Sequence, residues 1–241
     1  MNERYFLDFR RVLSRLDFHD FNGLKASSPT GWFNPYGNAY KHRGFPIERR
    51  EHAAFDFVAN AKVGVAAGLC LGNPDVDAFT RLTADSHLEV IGETARNGYV
   101  VGLDTRTVFN SQNTSFLAAF APAMFMAPGI GRFDDILASL LTQRVMRDRG
   151  YHVHIGPPFA YQQRHPHNLL DDLKAEMWGY EHVLEVSDFL DRMDDPTLGE
   201  APLDEYVMAM CRYYYGGCAT LPQQAREAGL AFLEDVESMR K

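Results

Sequence analysis

Cysteine is scarce in this sequence, and none of its three copies, Cys70, Cys211 and Cys218, lies in a CxxC pair. An odd count without metal-ligand spacing argues against a disulfide framework and a cysteine-held zinc. It points to buried or free thiols in a reducing, cytoplasmic setting. Long apolar runs are missing too, so no membrane-spanning helix is expected. The stretch MNERYFLDFRRVL is too charged for a signal peptide. Repeats and low-complexity tracts are absent. So is any basic excess: the net charge is −8 and the pI about 5.6. Such a surface repels phosphate backbones, and nucleic acid is not an expected partner. A local basic pocket for a nucleoside diphosphate remains compatible with that balance.

What is present is ordinary globular material: 241 residues, 46% hydrophobic and 23% charged. That is enough for a sizeable core in one large domain or two small ones. Tyr5, Phe6, Phe9, Val12 and Leu13 recur at helical spacing over residues 3–16. Residues 25–46, rich in Gly, Pro, Ser and Asn, read as a long loop. AKVGVAAGLCLG (61–72) reads as a buried strand, and NPDVDAFTRL (73–82) as a helix with Asn73 as cap and Pro74 in the first position. YVVGL (99–103) and TVFNSQN (107–113) read as strands or strand ends, and 114–126 as mixed apolar sequence interrupted by Pro122. Residues 133–150 form the clearest helix, closed by Gly150, with Phe133, Ile136, Leu137, Leu140, Leu141 and Val145 as its buried stripe. YHVHIG (151–156) alternates like a strand, and 166–186 is helical again. Two more helices follow near 203–214 and 221–239, the second opened by a Thr220–Gln223 capping box with Pro222 in its first turn. Strand–helix alternation up to about residue 186, then a helical tail over 187–241, predicts an α/β fold with a mixed sheet flanked by helices.

Four stretches hold residues suited to chemistry. In GRFDDILASL, Asp134 and Asp135 open a helix, where acids complement the macrodipole and cap N–H groups. The same pair suits a general base and an orienting neighbour, with Arg132 beside them for a phosphate. In NPDVDA, Asp75 and Asp77 suit either a helix start or a divalent cation bridging a nucleotide diphosphate, since hard oxygen ligands favour Mg²⁺ or Mn²⁺. FNSQNT gathers Asn110, Gln112 and Asn113, amides that both donate and accept, as sugar hydroxyls and ordinary turns alike require. His152 and His154 share a strand face, and His165 and His167 follow, a set more often solvated than metal-binding.

The order of these stretches is more telling than any one of them. RGFPIERRE, GLCLGNPDVDAFTRL, FNSQNT, GRFDDILAS and GPPFAYQQRHPHNLLDDLKAE occur in succession. The series resembles the reversibly glycosylated polypeptides, the UDP-arabinopyranose mutases of plants, and more closely the related STELLO-like and bacterial glycosyltransferases. The resemblance spans roughly residues 30–180. It implies a GT-A-like fold that uses a nucleotide sugar and a divalent metal, Mn²⁺ or Mg²⁺, with an acceptor the sequence does not name. It implies that Asp134 and Asp135 border the transfer site, that Asp75 and Asp77 contact sugar or metal, that Asn110, Gln112 and Asn113 bind sugar hydroxyls, and that Arg132 faces phosphate.

The family's acidic metal motif lies upstream of the part matching GWFNPY, and no acidic triplet follows a strand there in this chain. This predicts the acceptor-side portion of the fold (residues 1–186), completed by a missing N-terminal half or an oligomer partner. Where the plant proteins carry a His after the P-Y-x-Y step, this chain reads Pro158-Phe159-Ala160-Tyr161-Gln162, so His165 or His167 takes that place as the implied metal ligand. The arginine that carries the reversible sugar in the plant family aligns with Arg50; a surface charge run and a diphosphate clamp are the other readings of that position. A glycosyltransferase, a self-glycosylating UDP-sugar mutase and an inactive sugar-binding partner subunit are the three functions this pattern allows.

Overall fold

One strand of nineteen residues, β2 (Ala54–Gly72), organises the sheet. In the computed structural model, which describes residues 21–37, 40–50, 52–89, 93–166, 168–195 and 198–240, the first half of β2 pairs antiparallel with β1 (Phe21–Ser27). Its second half runs parallel to β5 (Tyr151–Gln162) and carries the short β4 (Thr114–Phe116) on its other side. β3 (Tyr99–Val101) lies between β1 and β5. The order β1-β3-β5-β2-β4, with β1 also joined to β2, makes a mixed sheet that curls back on itself. The changeover falls at Asn60, whose φ of 55° is left-handed and whose N–H is taken by the Asn22 side chain at 3.1 Å. Asparagine tolerates that conformation better than other side chains.

Helices flank the sheet: α1 (Ala78–Thr83), α2 (Glu93–Asn97), α3 (Asp134–Asp148), α4 (Leu169–Arg192), α5 (Leu203–Gly217) and α6 (Gln223–Met239). The stripe expected on α3 is buried in full, from Phe133 to Val145. It shares one core with Val65 and Val153 of the sheet, Val183 of α4, Met210 and Tyr214 of α5 and Leu233 of α6. Residue 186 falls inside α4. No helix among the described residues is long and apolar enough to cross a membrane.

Several local expectations are corrected. The loop expected over 25–46 gives up residues 25–27 to β1. Residues 107–113 are irregular and no strand. The helix expected from residue 73 starts at Ala78 with Asp77 as its cap, because Asn73 to Asp77 bond instead to Gln162 and to residues 41–43. The Thr220–Gln223 box does not form: Pro222 precedes α6 with no side-chain cap, and Gln223 turns forward to Glu227 at 2.6 Å. The helix expected at 3–16 lies outside the described residues.

Candidate functional site

β2 and β5 run parallel and end side by side, Gly72 opposite Gln162. Asn73 N–H continues the pairing onto the Gln162 carbonyl at 2.8 Å, and the Asn73 side chain accepts from Arg164 N–H at 3.2 Å. An extended segment, residues 41–43, lies along 75–77: Arg43 N–H donates to the Asp75 carbonyl and Asp77 N–H to that of Lys41. Backbone pairing thus sets Arg43 beside Asp75 at the carboxyl edge of the sheet. Gly44, at φ +91°, then lets α3 approach, since a Cβ there would lie 2.3 Å from Ile136.

The Arg43 guanidinium is clamped between two carboxylates. Nε and Nη2 donate to Asp75 at 3.2 and 2.8 Å, and Nη1 and Nη2 to Asp135 at 2.9 and 3.0 Å. Nη1 also donates to the Arg132 carbonyl. Arg164 Nη2 and Asn110 Nδ2 each reach Asp75 at 3.1 Å, and Ser111 N–H reaches Asp135 at 3.3 Å. Arg43, Asp75 and Asp135 are 5%, 0% and 7% exposed, so these are charge-assisted bonds in a dry environment. Burial alone would raise the Asp75 carboxyl; the charges of Arg43, His42 and Arg164 outweigh it and hold the group well below the usual carboxylate range. His42 is buried and lies over Tyr36, with ring centroids 5.6 Å apart, and burial lowers its basicity.

The residues singled out in the sequence divide. Asp75, Asn110 and Asp135 meet in this network. Asp134 is half-buried beside it, its Oδ1 accepting the N–H of Asp135 at 2.8 Å. Asp77 is buried in another role: Oδ1 caps Thr80 N–H at 2.6 Å, Oδ2 is buried without a partner, and burial pushes the carboxyl up. The Arg132 side chain turns to α4, where Glu176 and Asp172 each hold it at 3.0 Å. Glu176 in turn accepts Ala78 N–H and the Tyr180 hydroxyl. Gln112 is exposed. Asn113 packs over Gly68 and donates to the Leu69 carbonyl at 3.4 Å. Arg50 is exposed on a cleft of about 560 Å³ lined also by Lys41, Phe45, Ile47 and Arg49.

His165 is exposed and His167 lies outside the described residues. His152 bonds the Val101 carbonyl at 2.8 Å and His154 packs edge-on against Phe21, so neither belongs to the network. Among the described residues no three His, Cys, Asp or Glu side chains group as metal ligands. Asp75, the first acid of the DxD, does not fit a divalent cation in this arrangement, because two guanidinium groups and an amide already occupy its oxygens.

Sequence reasoning missed Arg43 and Arg164. Both lie within the quoted stretches, but each stands among other charged or basic residues, Lys41 and His42 before Arg43 and His165 after Arg164, so residue type did not single them out. Every one of those stretches in fact supplies the network: Arg43, Asp75, Asn110 with Ser111, Asp135, and Arg164. No protein-family model matches the chain. No curated protein matches it either.

Proposed function

We propose that the chain is a GT-A-like glycosyltransferase domain that moves a sugar from a nucleoside diphosphate sugar to an acceptor hydroxyl. The observation that carries this reading is the convergence of the quoted stretches on one buried network at the carboxyl edge of β2 and β5. Their order is that of the nucleotide-sugar enzymes they resemble, and the network lies just past the carboxyl ends of two parallel strands. The two acids then take different roles. Asp135 spends both oxygens on Arg43 and orients the site. Asp134 stands outside the clamp and accepts the proton of the acceptor hydroxyl. Asn110 is committed to Asp75, which leaves Gln112 of the same turn for sugar hydroxyls. Lys41, Arg49 and Arg50 outnumber Glu48 in the cleft and leave it positively charged, suited to a diphosphate.

The test follows UDP release from a panel of UDP-sugars, with melting temperature measured in parallel. Asp134→Asn is expected to lower turnover by about 10²–10⁴-fold while the fold survives, because an amide cannot take the proton. Full activity in this variant would reduce Asp134 to a helix start. A second reading, an inactive sugar-binding partner subunit, draws support from the guanidinium bonds that occupy Asp75 and Asp135. Wild-type protein that binds these sugars without releasing UDP would favour it. The mutase reading needs Arg50 at the reacting centre, and Arg50 takes no part in the clamp.

A further inference from the structure

Tyr161, near the end of β5, is a large aromatic at this edge of the sheet and is 58% exposed. Its ring rests on the backbone of Gly72: a Cβ there would lie 2.9 Å from the ring, and Gly72 is held at φ +77° by paired bonds to Leu88, each 2.8 Å. The edge of the ring meets the His87 imidazole at 68° and 6.3 Å between centroids. The hydroxyl lies 3.4 Å from both Glu89 Oε1 and His87 Nε2, which themselves pair at 2.5 Å. The ring is therefore fixed from below, at its edge and at its hydroxyl. A carboxylate and an imidazole stand beside it, still accessible at 68% and 40% of their side-chain surface. The network is close in sequence on both strands: Asp75 follows Gly72, and Arg164 follows Tyr161, each by three positions.

A fixed, open aromatic face flanked by a strong acceptor and a donor–acceptor has a definite complement. The face is electron-rich and attracts the polarised C–H bonds on one side of a pyranose ring. The carboxylate and imidazole then take adjacent hydroxyls. We propose that Tyr161 is a stacking platform for a pyranose of the acceptor, with Glu89 and His87 as its hydroxyl-binding partners. The acceptor is accordingly a saccharide. This rests on the glycosyltransferase reading for its purpose, though its binding step does not.

The experiment is saturation-transfer NMR on the full chain, with methyl β-D-glucopyranoside as acceptor probe and UDP-glucose as donor probe. Transfer to the glycoside ring protons is expected in wild type and in Tyr161→Phe, which keeps the ring. In Tyr161→Ala it is expected to fall by roughly five- to tenfold, the worth of one aromatic contact. UDP-glucose signals should be unchanged by Tyr161→Ala. Absence of glycoside binding in wild type, equal binding in Tyr161→Ala, or a loss confined to UDP-glucose would each overturn the platform. UDP release by wild type supplies the separate control. Tyr161-dependent glycoside binding with no UDP release supports the platform while sinking the transferase reading.

Discussion

Arg43 and Arg144 are both buried, yet most of their partners are of different kinds. Arg43 serves the carboxylates of Asp75 and Asp135, which come from separate segments of the chain. Arg144 gives Nε to the Leu190 carbonyl at 2.7 Å and Nη2 to that of Met193, at the end of α4, and reaches Asp148 within its own helix. Nearby Arg149 does the same for the next loop, donating to the carbonyls of Leu198, Gly199 and Ala201 while lying 4.1 Å over the Tyr206 ring. The carbonyl-bound pair finishes a helix and ties down a connection, as a C-cap does. Arg43 takes one carbonyl, that of Arg132, but its main partners are charged groups that could have stayed in water. Burying charge against charge costs desolvation and stabilises little overall. The contrast assigns Arg144 and Arg149 to the scaffold and Arg43 to the site.

The largest effect that would sharpen this contrast is Arg43→Met. It strands Asp135 without its cation, leaves Asp75 with Arg164 and Asn110, and is expected to cost about 3–5 kcal/mol in urea unfolding. Arg43→Lys keeps the charge but loses the fork, and should fall between that variant and wild type. Next is Arg144→Met, which leaves main-chain carbonyls unsatisfied and should cost about 1–3 kcal/mol. An Arg43 penalty no larger than that of Arg144 would break the comparison.

Acid tests the clamp apart from the Arg144 scaffold. Asp75 has its affinity for protons lowered in the fold, so its contribution is present above the ordinary carboxylate value, about 4, and is lost as pH falls below it. Wild type and Arg144→Met should therefore lose stability between about pH 5 and pH 3.5, and Arg43→Met should lose less, compared by urea midpoints. An equal loss in all three would show that the clamp does not set the acid response. Thr220→Ala is expected to have the smallest effect, within about 0.5 kcal/mol, since Thr220 caps nothing.

Helix α3 was legible because Phe133 to Val145 repeat at helical spacing and nothing distant competes with that pattern. The core of β2 is legible on another ground, a short apolar run with β-branched Val63 and Val65. Helix α1 was misread because Asn73 and Pro74 make a sound local start, while the bonds that pull 73–77 into the sheet edge come from residues 41–43 and 162. The antiparallel half of β2, Ala54–Ala61, was missed because most of it is exposed and lacks a buried-strand signature. Asp75, Asn110 and Asp135 could be singled out by residue type. Their common partner could not, since an arginine announces its acids only once the chain has folded. Asp77 and Arg132 carried the right chemistry by type and were drawn into capping and into α4 instead.

The clamp joins positions 32 and 92 residues apart, and the Arg164–Asp75 pair spans 89. Helical turns close over a few residues in under a microsecond, whereas contacts between distant parts of a chain must first overcome the entropy of closing a long loop. During folding, α3 and α5 are within reach long before Arg43 meets Asp135. Formation of this cluster therefore depends on the slowest class of contact in the molecule, and the site comes into being only as the topology is completed.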